Sequence, residues 1–312
     1  MTQGNVLKRR HRGRLSLGNP RTLHLMLLPS VVLLFLFSYL PMFGLIMAFQ
    51  NYKPGPNYGF WGSPFVGLQN FEYIFRMPGF SEVLRNTLVI AVGKIICHIA
   101  IPVIVSLLLN EISRTGFKRG VQLLMYLPHF LSWVILAGIL RDILSPSEGI
   151  INQILMGLGL EPIFFLGDLN WFQPTMIITD VWKEFGYNLV LYMAALTAID
   201  PSLYEAAIMD GANRFQQTLH VTLPGMVNVI ILLATLSMGN VLNAGFDQIF
   251  NLYSPQVYSV GDIIDTLVYR LGLQDMQFSV ATAVGLFKSA VSCLLIGGSY
   301  YLAYRLADYR IF

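Results

Sequence analysis

Ionisable residues lie near the middle of segments that are otherwise apolar. Asp180, Lys183 and Glu184 belong to one such segment, and Lys94 and Lys288 belong to two others. An ionisable side chain at the centre of a membrane-spanning helix costs about 2.5–3.5 kcal/mol in insertion experiments, so each of these residues needs a partner or a function. The chemistry open to them is ion pairing inside a helix bundle, or contact with a polar solute that crosses the membrane.

Several of these residues are predicted to lie at a common depth. Counted inward from the outer end of each segment, Lys94, Lys183, Glu184 and Lys288 are roughly 10–12 residues deep, or about 15–18 Å, and His129 is at a similar depth. Sugars bind to hydrogen-bonding groups and aromatic faces, which favours a sugar pathway through this layer. The residues predicted to line it are Trp182, Lys183, Glu184, Tyr187, Asn188, Asn240, Asn243 and Lys288.

A structural interpretation of the same charges stays open. Ion pairs, such as Glu184 with Lys94 or Lys288, would hold the bundle together, and a lysine could simply donate to a neighbouring carbonyl. For the lysines the sequence favours neither interpretation, whereas Tyr187 and Asn188 favour the pathway.

The balance of charge in this layer bears on the chemistry of the solute. Lys94, Lys183 and Lys288 have only Asp180 and Glu184 as counter-charges within the apolar segments. The layer is therefore predicted to be slightly basic, which favours an acidic oligosaccharide such as a uronate chain.

The composition places these segments in a membrane. Of the 312 residues, 55% are hydrophobic and only 12% are charged, and the mean hydropathy is +0.60. A soluble domain has about 25% charged residues, twice the share found here. We therefore expect an all-α, polytopic membrane protein.

Six apolar segments are long enough to cross a hydrocarbon core, which takes about 20 helical residues. They cover about 23–49, 83–109, 120–140, 172–199, 224–244 and 278–305. Six spans place both termini on one side, where Lys and Arg number twelve, against four in the opposite loops. Because positive residues stay inside, we expect both termini to be cytoplasmic. Residues 1–22 are then a basic cytoplasmic N-terminus, 23–312 the transmembrane domain, and 200–223 a cytoplasmic loop.

Residues for metal binding, catalysis or ATP binding do not form a recognisable set. The two cysteines and five histidines lack metal-ligand spacing, and no nucleophile–base pair is evident. His98 is interpreted as a packing residue. No Gly-x-x-x-x-Gly-Lys-Ser/Thr segment is present, so any ATP that drives this protein must bind to another chain. We therefore expect no catalytic residue, metal site or cofactor on this chain.

The polar loop between the fourth and fifth segments has helix signals. Asp200 or Ser202 can cap a helix here, and Ser202 and Glu205 have the spacing of a capping box. Gly211 is expected to end this helix, and Pro224 to open the next apolar segment.

The residues of this loop follow a distinctive spacing. Glu205–Ala207 is followed after three residues by Gly211, and after nine more by Val221–Pro224. This pattern resembles the EAA loop of ABC-importer permeases, with valine in the place of the family's isoleucine. The resemblance implies a coupling helix that docks in a groove of a separate ATPase subunit.

The resemblance also implies roles for individual residues of the coupling helix. Glu205 would make polar contacts with the ATPase, and three small residues would allow its backbone to approach closely. Phe215 is a candidate apolar plug for the same groove. The small residues are Ala206, Ala207 and Gly211.

Other segments resemble the sugar-importer permeases of the maltose and oligosaccharide type. They are Ser38–Pro41, Phe49–Tyr52, Phe65–Phe71, Asn86–Thr87 and Asp200–Ala207. The resemblance runs from about residue 25 to the C-terminus and is nearest to permeases for polysaccharide-derived oligosaccharides, including the alginate-uptake type. It implies the type I importer permease fold, in a bacterial inner membrane, working by alternating access.

The same resemblance implies the partners. They are a second homologous permease subunit, two ATPase subunits that hold ATP and Mg, an extracytoplasmic solute-binding protein, an oligosaccharide and the lipid bilayer. A nucleic-acid partner and an enzymatic activity of this chain are not expected. An ion-gradient-driven secondary transporter, with Asp180, Lys183 and Glu184 as a relay, is the alternative that the residues leave open.

Overall fold

The computed structural model describes residues 20–55 and 59–307, and within these ranges the chain is mostly helical. The α-helices are α1 (Pro20–Leu34), α2 (Gly59–Gly62), α3 (Gln69–Arg76), α4 (Phe80–Asn110), α5 (Thr115–Tyr126), α6 (Trp133–Ile143), α7 (Ile150–Gly157), α8 (Phe172–Thr197), α9 (Pro201–Met209), α10 (Arg214–Gln217), α11 (Leu223–Met238), α12 (Phe246–Leu252), α13 (Tyr258–Gly261), α14 (Ile264–Tyr269) and α15 (Phe278–Ala307). π-Helical turns cover Phe35–Tyr39, Thr218–Thr222 and Arg270–Gln274, and 3-10 segments cover Leu40–Phe49, Leu127–Phe130 and Pro255–Val257.

The first helical run contains two prolines. α1 continues through Pro29, and the hydrogen bonding changes to π-helical at Phe35–Tyr39 and to 3-10 at Leu40–Phe49. The change surrounds Pro41, which lacks the N–H that an α-helical bond would use. Of the two prolines in this run, Pro29 and Pro41, only the second therefore coincides with a change in the helix.

Four continuous helical runs in the described part of the chain are long and apolar enough to cross a membrane: His24–Phe49, Phe80–Asn110, Arg214–Met238 and Phe278–Tyr301. The bent pair α5–α6 makes a fifth if it counts as one span. α8 has the length of a span, 26 residues, but carries Asp180, Lys183 and Glu184. The helical membrane fold is confirmed, and the count of six spans stays a prediction.

The continuous helix expected over 120–140 is replaced by two helices, bent by 106°. α5 passes into a 3-10 segment in which Pro128 has no N–H to donate. α6 then starts afresh, because the Ser132 Oγ accepts a hydrogen bond from the Ile135 N–H at 3.4 Å and caps the new helix. A proline followed by a capping serine therefore turns the chain inside the apolar segment.

The helix of the fifth apolar segment begins at Arg214, earlier than expected. Asn213 and Gln216 form a capping box, in which the Asn213 Oδ1 accepts from the Gln216 N–H at 2.9 Å. The turn Thr218–Thr222 is π-helical, and this change in hydrogen bonding directly precedes the region of Pro224. Residues 214–223 of the predicted polar loop are thus already helical.

The same helix also ends earlier than expected. α11 ends at Met238, with Gly239 as its C-cap. Asn240 and Asn243 therefore lie in the connection between α11 and α12, and not along a membrane-spanning helix as the sequence suggested.

α4 and α8 pack against one another and share an apolar cluster. Ile90 and Ala91 of α4 and Phe172 and Met176 of α8 are almost fully buried in it. In a membrane, close packing of such side chains is one of the interactions that hold two helices together. The polar residues one turn further along both helices are consequently held at fixed distances.

The chain between α11 and α15 folds back onto the first turns of α4 and α8. The Ile264 N–H donates to the Thr87 Oγ1 at 2.9 Å, and the Asn86 amide donates to the Ser259 carbonyl at 3.0 Å. Gln173 of α8 donates to a backbone carbonyl of the same segment at 2.9 Å. These bonds satisfy backbone groups of an irregular segment that would otherwise be buried without partners.

Candidate functional site

α8 carries two carboxylates one helical turn apart, and each is shared by a lysine and a histidine. Asp180 is contacted by two residues of α4: the Lys94 Nζ lies 3.0 Å from its Oδ1, and the His98 Nε2 lies 2.8 Å from its Oδ2. Asn188 of α8 donates to the His98 Nδ1 at 3.3 Å. α4 and α8 are therefore joined by charge as well as by apolar packing.

Lys94 has a partner for each of its three donor hydrogens. Besides Asp180, its Nζ donates to the Ala244 carbonyl at 2.7 Å and to the Gln248 Oε1 at 2.5 Å, and only 5% of the residue is exposed. Gly245 has φ +92°, and a Cβ there would lie 2.8 Å from the Lys94 Nζ, so the backbone comes this close only as glycine. The structural interpretation therefore applies to Lys94.

The second carboxylate, Glu184, fastens the bend between α5 and α6 to α8. Its Oε1 lies 2.5 Å from the Lys183 Nζ and its Oε2 lies 2.6 Å from the His129 Nδ1. Lys183 also donates to the His129 carbonyl at 3.1 Å and lies 5.6 Å from the centre of the Trp133 ring. Tyr187 stacks on the His129 ring with centroids 4.5 Å apart.

The third lysine of this layer pairs with a carboxylate from outside the apolar segments. The Lys288 Nζ on α15 lies 2.5 Å from the Asp265 Oδ1 on α14, and both side chains are 21% exposed. The pairs suggested by the sequence, Glu184 with Lys94 or Lys288, are therefore not the ones formed. Each lysine has a carboxylate of its own, so the basic layer predicted from the sequence is wrong, because that count omitted Asp265.

One face of α8 combines polar groups with exposure in the middle of the helix. Tyr187 is 57% exposed, and Glu184, Asn188 and His129 beside it are partly exposed. Lipid chains offer no hydrogen bonds to such groups, so this face is expected to meet water, a polar solute or another subunit. Trp182 points about 140° away around the helix, into a groove of apolar side chains.

The predicted path residues fall into three sets. Glu184, Tyr187 and Asn188 share the polar face of α8, with Lys183 buried directly behind it. Asn240 and Asn243 are exposed, and no side-chain hydrogen bond of either is formed within the described ranges. Trp182 faces an apolar groove, and Lys288 on α15 is paired with Asp265.

Sequence reasoning missed two members of these clusters. His98 was interpreted as a packing residue, and Asp180 was not assigned to the path. A signal for both was present: Lys94 and His98 have i, i+4 spacing on one helix, and Asp180 and Glu184 have the same spacing on another. Two such faces match when the helices pack side by side.

A further ion pair lies beyond the membrane-spanning segments. The two terminal nitrogens of Arg270 lie 2.5 and 3.2 Å from the carboxylate oxygens of Asp262, and this hydrogen bonding raises the pKa of Arg270. Burial, with the neighbouring Tyr258, raises the pKa of Tyr253 to about 12. The charge of Arg270 is therefore neutralised within the fold, by Asp262, as the charges of the lysines are by their own carboxylates.

The coupling helix predicted from the sequence is α9, and it is capped by Asp200. The Asp200 Oδ1 accepts a hydrogen bond from the Ser202 N–H at 2.9 Å, and Pro201 occupies the first helical turn. The same hydrogen bond lowers the pKa of the exposed Asp200 carboxyl group. Of the two candidate caps, Asp200 is the one used.

α9 ends in a Schellman motif. The Ala212 N–H donates to the Ala207 carbonyl at 2.9 Å, and the Gly211 N–H donates to the Ile208 carbonyl at 3.0 Å. Gly211 has φ +81°, and a Cβ there would meet no atom within 4 Å. Within this chain, the glycine is therefore needed for its backbone conformation and not for packing, and its spacing from the alanines sets the length of the helix.

The surface of α9 is uncovered in this chain. Met209 at its end is 86% exposed, and Phe215 is 74% exposed. Exposed apolar side chains next to small residues are typical of a protein contact. The residues predicted to couple are exposed, apart from the half-buried Ala207; they are Glu205, Ala206, Gly211 and Phe215.

α9 is tied to the helical run that follows it. The Tyr204 hydroxyl lies 3.0 Å from the Thr222 Oγ1, and the Gln217 amide donates to the Ala212 carbonyl at 2.9 Å. These bonds join both ends of α9 to the first turns of Arg214–Met238. A displacement of α9 is therefore passed to that run.

Comparison with known proteins shows that this chain matches one protein family and is similar to characterised permeases. Residues 98–306 match the family described as binding-protein-dependent transport system inner membrane component. The polygalacturonan/rhamnogalacturonan transport system permease protein YteP of Bacillus subtilis is 42% identical over 304 residues, 97% of this chain and 93% of YteP. Protein LplB of the same organism is 41% identical over 297 residues, 95% of this chain and 93% of LplB.

Two crystal structures contain a chain with the same fold. One is of a bacterial ABC transporter involved in the import of the acidic polysaccharide alginate, and the other is of a bacterial alginate ABC transporter in complex with an alginate pentasaccharide-bound periplasmic protein. The matched chain is 36% identical in both, with a TM-score of 0.84. The match covers 92% of this chain, and 96% and 95% of the matched chains.

Proposed function

The chain belongs to the family of binding-protein-dependent transport system inner membrane components, and we propose that its substrate is an acidic oligosaccharide derived from a polysaccharide. It is a permease subunit of an ABC importer for oligosaccharides and is not itself an enzyme. The names of YteP and of the alginate transporter support a polysaccharide-derived substrate, and the second supports an acidic one. The family decides against a secondary transporter with Asp180, Lys183 and Glu184 as a relay.

The oligosaccharide passes along the polar face of α8. This proposal is supported by the exposed ring of Tyr187, which offers a sugar an aromatic surface, and by the polar groups of Glu184 and Asn188 beside it. Asn240 and Asn243 extend this path from the connection after α11, where their exposed amides can bind hydroxyl groups.

The remaining predicted path residues act less directly. Lys183 is buried against Glu184 and the bend, so it positions the carboxylate. Lys288 is occupied by Asp265. Trp182 faces an apolar groove and serves packing against lipid or a neighbouring helix.

The ATPase subunits act on α9. Closure of the ATPase pair on ATP and Mg displaces α9. The Glu205 carboxylate makes polar contacts with the ATPase, and the small residues Ala206, Ala207 and Gly211 let the ATPase approach the backbone closely. Phe215 enters the same groove. One observation carries this proposal: α9 is uncovered, capped at both ends, and tied by side-chain hydrogen bonds to the helical run that follows it.

The assembly around the chain follows from its family. α9 and both termini lie in the cytoplasm, as the distribution of Lys and Arg favours. The importer is completed by a second homologous permease subunit, two ATPase subunits and an extracytoplasmic binding protein. The polar face of α8 turns towards the second permease. The alginate transporter in complex with a periplasmic protein supports the binding protein as a partner.

Uptake by the reconstituted importer tests the substrate. Vesicles that contain the complete complex, its binding protein and internal ATP are offered short uronate oligomers or neutral oligosaccharides of equal length. The uronate oligomers should be taken up with the higher kcat/KM. A complex that imports neutral sugars under ATP but no uronate oligomer would show that the proposed substrate is wrong.

Cross-linking tests the contact with the ATPase. With Cys97 and Cys293 first replaced by serine, Ala206→Cys should form cross-links to the ATPase through short bifunctional reagents. Trp61→Cys is the matched control, because Trp61 is 97% exposed yet belongs to a predicted outer loop. Equal cross-linking of both variants, or of neither, would contradict the role of α9.

A further inference from the structure

Two histidines contact the carboxylates of α8, and they differ in how their ring nitrogens are used. In His98, the Nε2 lies 2.8 Å from Asp180, and the Nδ1 accepts a hydrogen bond from the Asn188 amide at 3.3 Å. Both ring nitrogens of His98 are therefore already hydrogen-bonded to protein groups, and neither is open to a ligand.

His129 keeps one ring nitrogen open. Its Nδ1 lies 2.6 Å from the Glu184 Oε2, and among the described residues its Nε2 has no hydrogen-bond partner. The side chain is 30% exposed and stacks on Tyr187, so it reaches the polar face of α8. While the Nδ1–H donates to Glu184, the Nε2 is an acceptor in the neutral ring and a second donor in the protonated ring.

The charges around His129 cancel while the ring is neutral. Lys183 and Glu184 form an ion pair, and a further permanent cation at this depth would be costly in an empty path. The other two lysines of the layer have carboxylates of their own, in the pairs Lys94–Asp180 and Lys288–Asp265. Within the described ranges, a positive charge for an acidic sugar is therefore not available from these lysines.

We propose that His129 recognises a carboxylate of the acidic oligosaccharide by taking up one proton from water as the sugar enters. This inference rests on the proposed acidic substrate. The Nε2–H of the protonated ring then donates to the sugar carboxylate, while the Nδ1–H keeps its hydrogen bond to Glu184. The new positive and negative charges cancel, so the loaded site is as neutral as the empty one, and the proton returns to water when the sugar leaves.

The neighbours of His129 make this exchange sensitive to the sugar. The titratable and charged groups that face the ring are Glu184, Lys183 and Tyr187 of α8, and Lys94 of α4 lies close enough to attract Glu184. Glu184 is already paired with Lys183, so a second carboxylate, brought by the sugar, supplies the charge-assisted hydrogen bond that the open Nε2 lacks.

Uptake assays on the complete reconstituted importer test the proposal, with a uronate oligomer and its carboxyl-reduced, neutral counterpart of equal length. In the native importer, the ratio of kcat/KM for the acidic over the neutral sugar should fall as the pH rises from about 6 to about 8, where histidine loses its proton. His129→Gln should lower this ratio about tenfold at the lower pH and remove its pH dependence, which is the loss expected for one hydrogen bond to a charged group. His129→Lys should keep the preference without the pH dependence.

His98→Gln is the matched control, because His98 also lies on a carboxylate of α8 but has no open nitrogen. Its ratio should keep the native value and pH dependence. Uptake of the neutral sugar shows for each variant that the importer assembles and turns over. The proposal is overturned if His129→Gln keeps the native ratio and pH dependence, or if it lowers the uptake of both sugars equally. If the native importer takes up no acidic sugar, the proposed substrate itself fails, and the role of His129 with it.

Discussion

Replacement of Lys94 by methionine should destabilise the packing of α4 on α8. Methionine keeps an unbranched apolar stem, one atom shorter than the lysine side chain, while it removes the charge and all three donors. Asp180 then loses its ion pair at 3.0 Å, and the Ala244 carbonyl and the Gln248 amide oxygen lose their donor. Because Lys94 is almost fully buried, water does not replace the lost bonds.

The size of the stability loss in Lys94→Met depends on the contacts that Asp180 keeps. Removal of one partner of a buried ion pair costs about 3–5 kcal/mol. His98 still contacts Asp180 after the change, so we expect a loss near the lower end, about 3 kcal/mol. The second substitution Asp180→Asn, added to Lys94→Met, should restore part of this loss, because the buried charge that lacked a counter-charge is then gone.

Reversible unfolding of the purified protein in lipid–detergent bicelles, by titration with a denaturing detergent, measures these free energies. Arg76→Met is the control: its pair with Glu72 is exposed, with side chains 83% and 65% accessible, so we expect its loss to be about 1 kcal/mol or less. The reasoning is refuted if Lys94→Met unfolds within about 1 kcal/mol of the native protein. A double variant that is less stable than Lys94→Met would instead show that Asp180 is stabilising without its lysine.

Two further predictions concern α9. Gly211→Ala forces a residue with a Cβ into φ +81°, at a cost of about 1–2 kcal/mol, and should lower substrate-stimulated ATP hydrolysis by the complete importer. Gly211→Asn should lower it less, because asparagine adopts this conformation more readily. Equal activity of both variants and the native protein would contradict this prediction. Because the pKa of Asp200 is lowered in the folded state, its stabilisation of α9 is present at neutral pH and is lost as the pH falls through that pKa. Protection of the first-turn amides of α9 from hydrogen exchange should therefore fall on acidification in the native protein, and should be low and independent of pH in Asp200→Ala; a native-like profile in that variant would exclude the cap.

The coupling helix was predictable from sequence because its signals are local. The Asp200 cap, the proline after it and the stop at Gly211 each depend on residues within one or two turns. The bend at Pro128 and Ser132 has equally local signals, but the apolar character of 120–140 continues through it, and a count of apolar residues does not register a change of direction.

The ion pairs were harder to predict from the sequence, because the partner of a charge depends on how the helices rotate and pack. Asp265 reaches Lys288 from a short helix that the sequence placed outside the spans. Glu184 finds its lysine next to it in the chain, at position 183, and its histidine on the bend. Trp182 separates from Tyr187 because side chains five residues apart diverge by about 140° around a helix, which depth alone does not show.

The charges inside the membrane also bear on how motion reaches the path. From Glu184 to the end of α8 at Thr197 the helix is unbroken, a distance of about 20 Å, and α9 begins at Pro201. A displacement of α9 is therefore carried along α8 to its two carboxylates. There Asp180 holds α4 and Glu184 holds the bend between α5 and α6, so these helices must move together with α8. On this argument the buried pairs are joints between moving parts, and their loss should raise the amount of ATP hydrolysed for each sugar imported, even in variants that remain folded.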